Sequence, residues 1–398
     1  MPRPDRYLVT FFFTVSILTT SYNVASLWLD PFGVVWPQQI KPLGLWEDGR
    51  RHLVVEHLRT RHHEYEGFVV ANSRGFFLSA DVATELTGIS FYNTSFSADT
   101  IYGYADLIAW LLKAEKPKHF VILLSFDQFS MGDSRKLALL TREHPEVSGE
   151  TWLRYYFAFS NDMPGAIIHR NLADALHLGH RLFGPIFPAF GQYNSPYGPL
   201  ISICCNTDIW TGDIRGWGAV QPSTQTNVGP WGAPPNPATR DAEFGEGPRA
   251  REVDATLRQY WASPFDQGAL AKFKQMMALL RNAEVKTSCL VPPISARGLK
   301  FVDTERYASW LAVLVRECGS VWDFSDRNSI TSNKENYLDW SHFLAPVGKL
   351  MFQRIFGSRP AELAQYPDFG NFVDARNLSD WALHWRTSFQ AVTPQPPR

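Results

Sequence analysis

Two short motifs far apart in the chain carry residue types that can act together as a nucleophile and a base. Residues 71–75 read ANSRG and offer the hydroxyl of Ser73, and residues 339–342 read DWSH. An imidazole that is oriented by a carboxylate can remove the proton of a serine hydroxyl and activate it for attack on an acyl carbon. We therefore predict that Ser73, His342 and Asp339 form a catalytic triad.

Each of these residues also has a simpler structural interpretation. Ser73 could cap a helix that follows its strand, as serines at that position often do. His342 could be a half-buried surface histidine, and Asp323 or Asp326 could replace Asp339 as its partner. The sequence alone leaves these alternatives open.

The elements around the motifs predict an α/β fold with a mostly parallel sheet. Strands that alternate with helices pair in parallel through right-handed crossovers. Ser73 follows the first strand and His342 follows the last, so both can reach one edge of the sheet, where open α/β folds place their active sites. The predicted strands cover residues 68–71, 89–92, 119–126, 285–291 and 320–324, and the predicted helices cover 45–65, 100–114, 267–282, 304–318 and 346–356.

The amino-terminal segment predicts a single-pass membrane anchor. Residues 7–29 contain no charged residue and are long enough to cross a hydrocarbon layer of roughly 30 Å as a helix. Arg3 and Arg6 precede the segment and Asp30 follows it, which favours a cytoplasmic tail and an extracytoplasmic, periplasmic domain. A cleaved signal peptide is an alternative, although residues 23–25 match a cleavage site poorly, and a buried helix is another.

Composition divides the chain into four parts. We assign residues 1–30 to the tail and anchor, 31–66 to a juxtamembrane helical segment, 67–358 to the α/β domain and 359–398 to a C-terminal extension. The domain is interrupted at 185–250 by an irregular insertion rich in Gly, Pro and Trp. Loops of that length usually cover a site or bind a ligand.

Three tryptophans of the insertion have two interpretations. Trp210, Trp217 and Trp231 could stack on the rings of a carbohydrate polymer, or they could fill the interior of an irregular cap. The sequence favours neither.

Charge and composition argue against several other functions. The chain of 398 residues is 45% hydrophobic, so it can bury a large core, and its net charge is -1. Without an excess of Lys and Arg to neutralise phosphates, we expect no nucleic-acid partner. The chain has no Gly-rich phosphate loop either, so nucleotide chemistry has little support.

Cysteine and histidine spacings predict no metal site and no cofactor. The four cysteines lack C-x-x-C spacing; Cys289 and Cys318 end a predicted strand and helix and could meet, whereas the adjacent Cys204 and Cys205 are poor partners for each other. Four histidines crowd the juxtamembrane helix, but the first three recur every five residues and so drift around it. They are His52, His57, His62 and His63.

In the order and spacing of its blocks, the chain resembles the SGNH, or GDSL-like, hydrolase superfamily. It is most similar to the membrane-anchored bacterial branch that contains the proteins of teichoic acid D-alanylation and alginate O-acetylation. The resemblance covers the anchor, residues 30–33, Ser73, residues 92–93, residues 124–127 and residues 339–342.

This resemblance implies a three-layer α/β/α fold with Ser73 as nucleophile, His342 as base and Asp339 as the residue that orients the base. It also implies an oxyanion hole formed by the nucleophile's N–H, a glycine N–H and an asparagine side chain. The second block of this chain has no glycine, so the resemblance leaves the N–H of Ser97 and the side chain of Asn93 as donors.

Two further residues of these blocks are site candidates. Arg74 could pair with a carboxylate or with an anionic substrate. Asp127 stands where the family places a donor, and an ionised carboxylate is only an acceptor. Asp127 could take part in the chemistry of the oxyanion site or bind turn amides, and the sequence favours the second role.

The expected function is acyl transfer at the membrane. The resemblance implies an O-acyltransferase or esterase that acts on a cell-envelope or secreted polysaccharide, with a multi-pass membrane acyltransferase as a partner. The alternative is a non-catalytic SGNH-fold scaffold of a polysaccharide acylation or export complex, which the altered oxyanion block would explain.

Overall fold

A computed structural model describes most of the α/β domain. The described residues are 4–29, 47–96, 99–114, 117–130, 143–155, 206–207, 214–215, 245, 250–357 and 361–390. Several sequence predictions lie outside these ranges. They concern Ser97, residues 30–33, the insertion tryptophans, Cys204 and Cys205.

A six-stranded sheet forms the centre of the domain in the order β2-β1-β3-β6-β7-β8. The first five strands in this order are parallel, and β8 is antiparallel to β7. A separate antiparallel pair joins β4 to β5. The strands are β1 (Gly67–Val70), β2 (Phe91–Asn93), β3 (His119–Leu123), β4 (Asn206–Thr207), β5 (Ile214–Arg215), β6 (Lys286–Val291), β7 (Ser320–Asp323) and β8 (Asn371–Asp374).

Helices alternate with these strands along the chain. The helices are α1 (Pro4–Leu29), α2 (Glu47–Arg61), α3 (Ala80–Thr87), α4 (Ile101–Ala114), α5 (Pro145–Ser148), α6 (Ala250–Ala262), α7 (Gln267–Asn282), α8 (Thr304–Cys318), α9 (Ser329–Ser332), α10 (Ala345–Ile355), α11 (Ala361–Ala364) and α12 (Leu378–Gln390). Short 3-10 helices cover His62–Glu64, Ser73–Phe77, Phe126–Phe129, Gly298–Phe301 and Lys334–Asn336. The predicted mixed α/β class with a mostly parallel sheet is confirmed.

Both faces of the sheet are buried, as the apolar strands predict. On one face, Phe68 and Phe120 belong to a core cluster that includes side chains of α2, α4, α7, α8 and α12. On the other face, Val69 and Val121 belong to a second cluster with side chains of the Ser73–Phe77 turn, α3 and α10. The residues that follow β1 are therefore held between the sheet and α10.

The sheet and its core continue beyond residue 358, the end of the α/β domain predicted from the sequence. Strand β8 pairs with β7 in the register Val321 to Val373. Trp385 of α12 is fully buried and stacks on Tyr307 of α8 at a centroid distance of 3.8 Å. This part of the predicted C-terminal extension thus completes the sheet and covers one of its faces.

Helix α1 has the length and composition of a membrane span. Within the described ranges it is the one helix that meets both criteria, over Tyr7–Val24 with a mean hydropathy of 1.3. None of that window is buried inside the protein, so α1 is not a core helix of the described structure. The predicted span is confirmed in its length and composition, which a signal sequence would share.

A disulfide links the core strand β6 to the end of α8. Cys289 and Cys318 are bonded, with their Cα atoms 6.4 Å apart, which agrees with the sequence prediction that the two could meet. Cys289 is buried on the strand that precedes the loop carrying Ser295. The bond therefore ties together two elements at the centre of the fold.

We expect replacement of Cys289 by serine to lower the free energy of unfolding by about 3 to 4 kcal/mol. The bond closes a loop between residues 29 positions apart, and opening it raises the conformational entropy of the unfolded chain. Urea unfolding of the wild type and Cys289→Ser measures the difference. Reductant should lower the free energy of unfolding of the wild type to that of the variant and should not change the value for the variant. Equal sensitivity of the two proteins to reductant would contradict the prediction.

Candidate active site

A capped turn at the carboxyl end of β1 presents Ser73. Asn72 is the N-cap of the Ser73–Phe77 helix, and its side-chain oxygen accepts a hydrogen bond from the backbone N–H of Arg74 at 3.2 Å. The Asn72 amide also donates to Ser125 Oγ at 2.9 Å, which anchors the cap to the end of β3. Because Asn72 caps the helix, the Ser73 hydroxyl is available for another role.

Close packing holds this turn in place. A Cβ atom at Gly75 would overlap the side chains of Ala71 and Ser95, so only glycine fits there. From β2, the fully buried Asn93 donates its amide hydrogens to the carbonyls of Gly75 at 3.0 Å and Leu78 at 2.8 Å. Asn93 thus braces the middle and the C-terminal end of the turn.

A short hairpin-like loop presents His342. Tyr337 and Phe343 form a β-bridge, and the backbone N–H of Leu338 donates to the His342 carbonyl at 2.8 Å. Phe343 is fully buried, with its ring 5.7 Å from that of Phe77 on the serine turn. The loop and the turn therefore share one packing surface.

The same loop is also fixed from the β6 side of the sheet. The Trp340 carbonyl accepts hydrogen bonds from Ser295, from the backbone N–H at 3.1 Å and from the hydroxyl at 2.9 Å. Ser295 lies in the segment that follows β6. Three segments at the carboxyl edge of the parallel strands thus meet around Ser73 and His342.

Ser73, His342 and Asp339 form a continuous hydrogen-bonded chain. Ser73 Oγ lies 2.8 Å from His342 Nε2, and His342 Nδ1 lies 2.7 Å from Asp339 Oδ2. A carboxylate oxygen only accepts, so Nδ1 carries the proton, and in a neutral imidazole Nε2 is then the acceptor. The Ser73 hydroxyl therefore donates to Nε2, as proton removal by a base requires.

Three groups from residues 341 and 342 hold Oδ1 of the Asp339 carboxylate. Its Oδ1 accepts hydrogen bonds from the backbone N–H groups of Ser341 at 2.7 Å and His342 at 2.8 Å, and from Ser341 Oγ at 3.0 Å. Burial alone would raise the pKa of Asp339, but the electrostatic interaction with the adjacent His342 ring and these hydrogen bonds lower it well below its ordinary value. Asp339 is therefore ionised at neutral pH.

The two competing aspartates have other partners. Asp323 is fully buried and accepts hydrogen bonds from Tyr307, Ser325 and Trp381, among them Tyr307 Oη at 2.9 Å. Asp326 contacts His384 Nε2 at 2.8 Å. Neither takes the place of Asp339 beside His342.

Arg74 and Asp127 form a buried ion pair next to the nucleophile. Arg74 Nη1 lies 2.9 Å from Asp127 Oδ1, and the Tyr260 hydroxyl donates to the same oxygen at 3.2 Å. Burial alone would raise the pKa of Asp127, but the Arg74 charge and hydrogen bonds lower it. Of the two roles predicted for Arg74, the structure shows pairing with a carboxylate.

Two side chains predicted at the oxyanion site already have other partners in the structure. Asn93 directs its amide into the turn, and Asp127 is occupied as an acceptor. Ser97 lies outside the described residues. The backbone N–H of Ser73 belongs to the first residue of a helix, where amides have no partner within the helix. Within this helix it is therefore an unpaired donor.

Three contributors to this site were missed in the sequence. Ser341 lies within the DWSH motif, and its hydrogen bond to Asp339 follows from an Asx-type turn that the motif could have suggested. Ser125 supports the Asn72 cap from another strand, and Tyr260 comes from α6. Contacts of this kind depend on tertiary packing and have no local sequence signal.

We expect Asp127→Ala to lower the free energy of unfolding by about 3 to 5 kcal/mol, because it leaves the Arg74 guanidinium buried without a counter-charge. The side chain of Arg74 is 5% exposed and that of Asp127 is 15% exposed. Asp127→Asn is the matched control. It keeps an acceptor for Arg74 and Tyr260, so it should lower the free energy of unfolding by less than Asp127→Ala does. Urea unfolding of both variants tests this, and equal stability of Asp127→Ala and the wild type would contradict it.

Comparison with known proteins leaves the chain unassigned to a family. No model of a known protein family matches it, and no curated protein is significantly similar to it. The resemblance to SGNH hydrolases stays a prediction from the sequence motifs.

Proposed function

We propose that this protein is a membrane-anchored serine acyl-transfer enzyme, an O-acyltransferase or esterase. The observation that carries the proposal is the hydrogen-bonded chain from Ser73 Oγ through His342 to Asp339, with distances of 2.8 and 2.7 Å. A nucleophile, a base and an orienting carboxylate in this order are the requirements for acyl transfer through a covalent intermediate.

The reaction proceeds in two half-reactions. Ser73 Oγ attacks the acyl carbon of an ester or thioester while its proton passes to His342 Nε2. The tetrahedral intermediate collapses, the imidazolium returns the proton to the leaving group, and the acyl group remains on Ser73. An acceptor hydroxyl, from water or a sugar, then loses its proton to His342 and attacks, and Ser73 is regenerated by the reverse proton transfer.

We further propose that the fold is a three-layer SGNH-like arrangement. Two core clusters on opposite faces of the sheet support it, as does the position of the nucleophile immediately after the first strand. The DWSH loop after β7, with its aspartate three residues before the histidine, is a further point of similarity.

An extracytoplasmic, periplasmic location is supported by two features. Helix α1 is a candidate anchor, preceded in the sequence by Arg3 and Arg6. The disulfide between Cys289 and Cys318 is a bond that persists in oxidising compartments and is rare in the cytosol. Together they favour an active site outside the cytoplasmic membrane.

A cell-envelope or secreted polysaccharide is the proposed acceptor. The resemblance to proteins of teichoic acid D-alanylation and alginate O-acetylation supports this choice, and it also implies a multi-pass membrane acyltransferase as a partner. The tryptophans of the insertion at 185–250 supply residue types suited to sugar stacking.

One observation favours the alternative of a non-catalytic scaffold. Asn93 and Asp127, two of the residues expected at the oxyanion site, are engaged in holding the turn and Arg74. Loss of a single oxyanion donor typically lowers turnover by about 100-fold to 1,000-fold. A scaffold would keep the fold and the anchor but would not form an acyl-enzyme.

The test is acylation of the full-length protein in detergent by a labelled acetyl ester, with and without an acceptor polysaccharide. An acyl-enzyme predicts label on the peptide that contains Ser73. Label that then passes to the polysaccharide identifies a transferase, and release as free acetate identifies an esterase. Absence of both labelled peptide and ester turnover in the folded protein, relative to Ser73→Ala, supports the scaffold.

A further inference from the structure

A second cluster of ionisable side chains lies between α2 and the segment at residues 143–155. His52 and Glu56 are four residues apart on α2, so they share one face of the helix. His144 approaches them from the segment that includes α5. One potential ligand atom from each of the three lies within 4.8 Å of the others.

His52 has one ring nitrogen that lacks a partner. Its Nδ1 lies 3.1 Å from the Tyr155 hydroxyl. Its Nε2 is sealed from solvent and has no hydrogen-bond partner among the described residues. The residue is 1% exposed. A buried polar atom of this kind is costly unless something binds it.

We propose that His52, Glu56 and His144 bind a divalent cation of the zinc type. Two imidazoles and one carboxylate are a donor set that zinc takes in proteins, with a water molecule at the remaining position. His52 would contribute Nε2, and His144 would contribute Nε2, which faces Glu56 Oε1 at 3.0 Å. The Tyr155 hydroxyl would orient the His52 ring from outside the ligand set, as partners of metal-bound histidines commonly do.

The neighbouring charges leave one Glu56 oxygen for this role. Arg59 lies against Glu56 Oε2 at 3.0 Å, which leaves Oε1 on the side of His144. The nearby Arg51 is paired with Asp99 and Glu143, so its charge is balanced within its own group. The cation would therefore face a carboxylate oxygen and two imidazoles.

Metal binding requires a tautomer change at His144. The backbone N–H of Glu146 donates to His144 Nδ1 at 3.2 Å, which places the ring proton on Nε2, where it is donated to Glu56. Coordination through Nε2 moves that proton to Nδ1 and releases the Glu146 N–H from the ring. The loss of one hydrogen bond is small beside the free energy that three coordination bonds supply.

The sequence prediction of no metal site rests on the cysteine spacing and on the histidines of the juxtamembrane helix, and it does not include His144. His144 lies 88 residues beyond Glu56 in the chain and reaches the cluster only through the fold. A cation here would fasten the juxtamembrane helix to the segment at residues 143–155. The proposal is independent of the acyl-transfer chemistry, and Ser73→Ala should bind the cation as the wild type does.

Zinc titration of the chelator-stripped, full-length protein in detergent tests the proposal, with a competing chromophoric chelator as the readout. We expect one zinc ion per chain in the wild type. Glu56→Gln and His144→Gln should weaken binding by on the order of 100-fold or more, since loss of even an outer partner costs 10-fold to 100-fold. His63→Gln, an exposed histidine that follows the same helix, is the matched control and should bind normally.

X-ray absorption of the zinc-loaded wild type provides a test that does not depend on the folding of any variant. The expected spectrum contains only nitrogen and oxygen ligands, with the multiple scattering of two imidazoles. The proposal is overturned by a wild type that binds no zinc, by sulfur ligation, or by folded Glu56→Gln and His144→Gln proteins that bind as tightly as the wild type. The first outcome would identify the cluster as a hydrogen-bonded His–Glu pair.

Discussion

Replacement of Ser73 by alanine is expected to lower ester turnover by about 10⁴-fold to 10⁶-fold, the range that loss of a triad nucleophile produces. Among the three hydrogen-bonded residues Ser73, His342 and Asp339, the Ser73 hydroxyl is the nucleophile that forms the acyl bond. Steady-state hydrolysis of a small chromogenic ester by the full-length protein measures the effect. The fold should be unchanged, because Asn72 provides the cap of this turn.

Ser79→Ala is the matched control for this variant. Ser79 lies six residues further along the chain and caps α3, with its hydroxyl accepting from the Val82 N–H at 3.4 Å. It should lose some stability and retain turnover. A Ser73→Ala protein that keeps more than about a tenth of the wild-type rate would contradict the nucleophile assignment, because the residual rate of triad variants is far lower.

Replacement of Asp339 by asparagine is expected to lower turnover by about 10⁴-fold. The asparagine oxygen can still accept from the backbone N–H groups of Ser341 and His342, so the loop keeps its shape. Its amide then faces His342 Nδ1 and donates to it. This forces the proton of the neutral imidazole onto Nε2, where it points at the Ser73 hydroxyl and blocks proton removal.

The same ester assay measures the effect of Asp339→Asn, and Asp326→Asn is its control. Asp326 was the sequence competitor for this role, and it pairs with His384. Asp326→Asn should therefore turn over ester at the wild-type rate. The triad assignment would be contradicted by equal losses in both variants, or by an unchanged rate in Asp339→Asn.

Much of the α/β framework could be predicted because its apolar pattern is strong. Helices α7 and α8 have the predicted bounds, and β3 and β6 differ from prediction only at their ends. Helix α3 and strand β8 were missed. Both are short, and β8 is half exposed at the edge of the sheet, where periodicity is weak.

The meeting of the triad residues could be predicted because each member follows a parallel strand. The carboxyl ends of parallel strands lie at one edge, so the strand pattern places Ser73 and the segment after β7 on the same side of the sheet. The loop that carries His342 then brings the imidazole to Ser73. The roles of the oxyanion residues were harder to predict, because an amide can act as a donor at the site only if its hydrogens point there. Asn93 illustrates this: its position at the end of β2 agrees with the prediction, but its hydrogens face Gly75 and Leu78.

Contacts that join distant segments without a motif had no sequence signal. Tyr260 reaches Asp127 from α6, and His144 reaches Glu56 from beyond α4. In both cases the residue types are common and the spacing is arbitrary. Only the packing of the core decides that they meet.

Labelling by a fluorophosphonate probe tests the central claim most directly, because the probe reacts with serines that a base has activated. The full-length protein is treated in detergent, digested, and searched by mass spectrometry for the phosphonylated peptide. We predict one adduct on Ser73, absent from Ser73→Ala and strongly reduced in His342→Ala. A folded wild-type protein without an adduct, or with its adduct on another residue, would contradict the account.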